Sequence, residues 1–236
     1  MFDKQTYLLN YAKKAVGSPP LILEVADTDI VRLCFPPSLV EYYNAIPYEY
    51  RVEGSICGGR SAIDIPDLAT LLSMPDENVF FVGVTYVEHA KVEVATGIAV
   101  LFDPLYNIGT RFLQDVITEK EFYATAEHDF VGQPVYTLDL IKNKLYIGSG
   151  FSSASVGVTF GYGFMIPDYV LSSHLNIMGD LVAVELIKMI IAGRASIQMA
   201  GDPTMDIGTL QAIQTKLEES AQAGLSSIRI PVMIRG

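Results

Sequence analysis

From Leu175 to Ala192 the chain is almost wholly apolar, close to the run of about 18 residues that raises the question of a membrane span. Asp180, Glu185 and Lys188 interrupt it, and an Asp or Lys near the centre of a lipid-facing helix costs about 2.5–3.5 kcal/mol. The run is therefore read as a helix buried by protein, its own or a neighbour's, and no membrane partner is expected. Buried charges are normally paired. Glu185 and Lys188 stand one turn apart and can satisfy each other within the helix. Asp180 has no such neighbour, so a contact from another helix or subunit is expected, with a base such as Arg194 of a neighbouring copy.

Beyond this helix, Gly201-Asp202-Pro203 breaks the pattern, and Thr204 or Asp206 can cap a second helix running to Ala223. Ile207, Leu210, Ile213, Leu217 and Ala221 form its apolar stripe, Gly224 is read as the stop, and Leu225 as the apolar residue that follows such a cap. The tail then alternates, with Ile228, Ile230, Val232 and Ile234 on one side and Arg229, Pro231, Met233 and Arg235 on the other. That is a strand in need of an edge, either in its own sheet or in another subunit. The last third thus reads as assembly hardware, with Asp180, Glu185, Lys188, Arg194, Ile228, Ile230, Val232 and Ile234 as the candidate interface.

The other end is helical as well. Asp3 can cap a helix to about Val16, with Tyr7, Leu8, Tyr11, Ala12 and Ala15 on one stripe and Gly17 closing it. After a short extended stretch, Leu21 to Val25, the residues Asp27 and Asp29 offer caps for Ile30 to Phe35, although a strand there is also open. Pro36-Pro37 interrupts, and Ser38 to Ala45 resumes as helix because proline is tolerated in a first turn.

Between these ends the period falls to two. Tyr50, Val52 and Ile56 lead to Gly58-Gly59, a hairpin turn before Ser61 to Ile65. Pro66-Asp67 starts a short helical turn through Leu72, and Val79 to Val87 is a β-branched and aromatic strand. A helical pattern spans Thr118 to Ala126 with capping-box spacing at Thr118 and Glu121. Val135 to Leu140 and Lys144 to Ile147 flank a Lys142-Asn143 turn. Val156, Val158, Phe160, Tyr162 and Phe164 alternate with Gly157, Thr159, Gly161 and Gly163, so one face is large and the other nearly bare. Glycine weakens a strand unless something approaches its backbone closely, such as a sheet, a helix or a neighbouring chain.

The fold class is therefore α+β: a β-rich central region of antiparallel sheets, flanked by N-terminal helices and a C-terminal helical pair with a terminal strand. One structural domain, 1–236, is expected, with a helical segment 1–47, a β-rich middle 48–166, helices over 167–225 and a β tail over 226–236.

Charge and chemistry narrow the function. The net charge is −11, and the 16 basic residues are scattered singly. Sequence-specific reading of nucleic acid is disfavoured, because phosphate neutralisation needs clustered Lys and Arg. An acidic surface suits a wall that DNA slides past, but plain solubility for so apolar a protein is the stronger reading of it. Cys34 and Cys57 lie far apart without metal-ligand spacing and fit a reduced setting. The start, Met-Phe-Asp-Lys-Gln, lacks a signal-peptide pattern. No Walker loop, His-Glu-x-x-His or Cys-x-x-Cys occurs, and Gly150-Phe151-Ser152-Ser153-Ala154 lacks the last glycine of a nucleophile elbow. Glu88-His89 and Glu127-His128-Asp129 are the local clusters that could hold a metal or move protons. Strand neighbours point to opposite faces, which argues against joint ligation. His174, beside Ser172 and Ser173, is read as part of a cap for the apolar helix.

Several segments taken in order resemble the neck, or head-completion, proteins of contractile-tailed bacteriophages. The opening run Tyr11-Ala12-Lys13-Lys14-Ala15-Val16-Gly17-Ser18-Pro19-Pro20, the apolar Leu21 to Val25 and the acid-led Asp27-Thr28-Asp29-Ile30 are similar to that family's helix, Pro turn, strand and second helix ending in aromatics, here Tyr42-Tyr43. Ile63-Asp64-Ile65-Pro66 and Asn143-Lys144-Leu145-Tyr146-Ile147 resemble two further family steps, and Leu217-Glu218-Glu219 stands in its last helix. Pro36-Pro37 falls where the family has one unbroken helix, and the family's Trp-Gly after the apolar helix is missing.

The resemblance implies a virion structural protein, assembled in the host cytoplasm, that is not an enzyme and takes no cofactor or metal. It implies a homo-oligomeric ring between head and tail, in contact with a portal or adaptor protein and with a tail terminator or second neck protein. DNA would pass through that ring unread. The alternative from the residues themselves is a small intracellular hydrolase or metal enzyme using His89 or His128 with adjacent carboxylates.

Overall fold

The computed structural model describes residues 3–16, 25–57, 60–93, 99–100, 135–148, 153–197 and 207–228, giving only the backbone at some of them. The fold is α+β. Its helices are α1 (Lys4–Val16), α2 (Asp27–Leu33), α3 (Phe35–Ala45), α4 (Leu68–Leu71), α5 (Leu175–Ile197) and α6 (Ile207–Ile228). The strands are β1 (Tyr48–Cys57), β2 (Arg60–Asp64), β3 (Val79–Glu93), β4 (Ala99–Val100), β5 (Val135–Asp139), β6 (Lys144–Gly148) and β7 (Ser153–Phe164). The chain forms two compact units: the first takes residues 1–47, 75–80 and 163–236, the second 48–74 and 81–162.

The first unit is built around α5. Met178, Val182, Ala183 and Ile187 are fully buried, as are Leu8 and Ala12 of α1, Leu39 of α3, and Leu210 and Ala221 of α6. Helices α1, α3 and α6 all pack on α5, so this helix is covered on most sides by its own chain. Glycines make room for the packing. A Cβ at Gly179 would fall 2.4 Å from the ring of Tyr11, and one at Gly224 would fall 2.7 Å from Ile177.

The close approach at Gly224 corrects one expectation. This residue does not stop α6; the helix continues to Ile228. Its stripe runs on through the buried Ala221 and Leu225, and the missing side chain admits Ile177. Ile228 is thus the end of a helix and not the first residue of a strand, while the remaining tail, with Ile230, Val232 and Ile234, lies outside the described residues.

Of the N-terminal helices only α1 follows its expected side-chain cap; α2 is headed by Ala26 with no side-chain cap bond, and Asp27 and Asp29 lie in its first turn instead of capping it. Asp3 accepts from the backbone N–H of Gln5 at 3.0 Å and of Thr6 at 3.3 Å, which fills donors that a first turn leaves empty. The α2–α3 junction turns on Cys34, whose N–H donates to the Ile30 carbonyl while its own carbonyl accepts from the Ser38 hydroxyl at 2.7 Å. Pro36 and Pro37 stand in the first turn of α3, where their missing N–H groups are not needed. Ile30 to Leu33 is accordingly helix, not strand.

The strands join in one sheet in the order β4-β3-β7-β1-β2-β6-β5. β1 pairs antiparallel with β2 from Cys57↔Arg60, which leaves the two-residue Gly58-Gly59 connection expected of a hairpin. Exposed Glu49, Arg51 and Glu53 alternate with half-buried Tyr50 and Val52, the period that one covered face imposes. β5 and β6 form the second expected hairpin, with Leu138 opposite Leu145. β3 extends past Val87 to Glu93.

Strand β7 explains its glycines. Val158, Phe160, Tyr162 and Phe164 are buried, and the bare positions take neighbouring side chains. The Arg51 guanidinium lies 2.8 Å from where a Gly157 Cβ would be, and the Phe80 ring 2.2 Å from that of Gly163. Among the described residues no helix is long and apolar enough to cross a membrane. The helical pattern over Thr118 to Ala126, residues 17–24 with the Gly17 stop and most of the short extended stretch, and the Gly201-Asp202-Pro203 break with its following caps lie outside the described residues.

Candidate functional site

Two regions are candidates for a functional surface. The first is the face of α5 singled out from sequence. Glu185 and Lys188 pair within the helix at 2.7 Å, as their spacing predicts. The pair is partly exposed, so it contributes about 0.3–0.5 kcal/mol. Its hydrogen bond to Glu185 raises the Lys188 ammonium above its ordinary value, and the charges of Glu218 and Glu41 add to the effect.

Asp180 is 6% exposed and finds its partners inside the chain. Tyr11 of α1 donates its hydroxyl at 2.8 Å and Ser220 of α6 donates at 2.7 Å. One carboxylate thus ties both flanking helices to α5, and no base from a neighbouring copy is needed to satisfy it. Burial, together with the hydrogen bond to Asp180, pushes the Tyr11 phenol up to about 12, so it stays protonated and donating. Arg194 lies in α5, but its side chain is outside the description.

His174 does not cap α5 with its ring. It sits in a short 3-10 turn ahead of the helix, and its Nδ1 is 2.8 Å from the Tyr42 hydroxyl. Burial lowers its pKa below the ordinary 6.5, which favours the neutral ring. Cys34 is a free, buried thiol, pushed up to about 11 first by burial and then by the charge of Glu185. His89 lies in β3 with only its backbone described, and His128 lies outside the described residues. Among the described residues no group of three or more His, Cys, Asp or Glu could hold a metal ion.

The second region was not singled out from sequence. In the turn between β5 and β6, Ile141 is 99% exposed and Leu140 is 64% exposed. The turn itself is firmly held. Asp139 Oδ1 accepts from the N–H of Ile141 at 3.1 Å and of Lys142 at 2.9 Å, and the bonds from Lys142 lead in holding its carboxyl below the usual aspartate value. Asn143, at φ 55°, takes the left-handed conformation that Asn tolerates better than most residues. Its side-chain amide donates to the Ile65 carbonyl at 2.9 Å, and its own carbonyl accepts from the Ile65 N–H at 2.9 Å. The signal for this region was two aliphatics in a turn, where Gly, Pro, Asn, Asp and Ser normally dominate.

In the first unit, a shallow groove of about 440 Å³ runs between α3 and α6. Val40, Ala45 and Leu225 supply its apolar lining, and Glu41 and Gln222 its polar rim. Gln222 donates to Glu41 at 3.0 Å. Neither the groove nor the turn sets out the nucleophile, base and orienting group of a catalytic constellation; what they offer is shape, apolar surface and charge. Compared with known proteins, the chain matches no family model and no curated protein.

Proposed function

We propose that this chain is a structural protein of the neck of a contractile-tailed bacteriophage, one of several copies forming a ring between portal and tail. DNA passes through that ring without being read, and the chain's task is contact, not reaction. The observation that carries this reading is the Leu140-Ile141 pair, held out to solvent on a turn fixed by Asp139 and Asn143. An exposed aliphatic pair on a preorganised turn can dock on a partner at little ordering cost. Two of the motifs behind the family resemblance also meet at this point, since Ile63 of β2 pairs with Leu145 of β6 and Ile65 bonds Asn143. Net charge −11 agrees with a channel wall that does not hold DNA.

Electron microscopy of the purified chain, alone and with the portal complex of its own virus, tests the reading. A ring of fixed copy number, seated on the portal, is expected. A chain that stays monomeric at high concentration and leaves the portal bare would overturn the proposal. The enzyme alternative separates from it cheaply: alanine at His89 and His128 should leave ring formation unchanged.

A further inference from the structure

We draw no further inference here: the strongest candidate, the solvent-exposed Leu140-Ile141 pair on the β5–β6 turn, belongs to the surface already described, and nothing in the structure shows what covers it.

Discussion

Met178 and Ile187 in the first unit are shut away from water, while Ile141 in the second stands 99% exposed. The more apolar segment is the better hidden one. Helix α5 looks like a surface for neighbours because its charges interrupt an otherwise greasy run, yet α1, α3 and α6 cover it, and its buried acid is met by Tyr11 and Ser220. The β5–β6 turn is short, half polar and ordinary in composition, yet it holds two aliphatics out to solvent. Stickiness depends on where burial stops, not on how hydrophobic a segment is.

That contrast breaks most readily under truncation. Met178→Ala in α5 should lower unfolding free energy by about 2–5 kcal/mol, the range for emptying a buried site. Ile141→Ala should stay within about 0.5 kcal/mol of wild type, as surface changes do. Chemical denaturation of the two variants side by side measures both, and equal losses would erase the distinction.

Next in size is the acid at the centre of the helical unit. Asp180→Asn replaces two bonds to a charged acceptor by neutral ones, with one hydroxyl turning to accept from the amide N–H₂, so a loss of about 1–2 kcal/mol is expected. Tyr11→Phe takes the donor from one oxygen of the buried carboxylate and should cost about 1–3 kcal/mol. If either loss arose only at concentrations where the chain assembles, Asp180 would belong to an interface after all.

A smaller effect concerns pH. The folded state lowers the pKa of His174 below its ordinary 6.5, so between those two values the unfolded chain binds more protons. Stability is therefore complete above pH 6.5 and falls as pH drops toward the folded value. Melting curves stepped downward from neutral pH should show a modest decline that His174→Gln flattens. The decline belongs to the helical unit alone, and the turn's exposure predicts no matching change in the isolated effect of Ile141→Ala.

The elements were largely legible in the residues because local rules governed them. Asp3 caps its helix, Asp67 accepts from the Thr70 N–H at 3.1 Å to open α4, and the β5–β6 hairpin turns at its Lys142-Asn143 pair. Gly224 misled because a glycine after an apolar stripe is written the same way whether it ends a helix or admits a neighbour. Only the tertiary approach of Ile177 tells them apart. Asp180 could not be resolved from sequence either, since Tyr11 lies 169 positions away and Ser220 lies 40 positions away. The groove was invisible for the same reason: Glu41 and Gln222 are 181 apart. The β5–β6 turn was the exception. Leu140 and Ile141 were readable as misplaced turn residues, but an alternating hydrophobic strand beside them absorbed Leu140 into its pattern.

Amide hydrogen exchange on the full chain, compared above and below its assembly midpoint, tests the central claim most directly. The account predicts that peptides of α5 are equally protected at both concentrations, while those covering 139–144 slow on assembly. Protection that rises in α5 on assembly, with the turn unchanged, would contradict it.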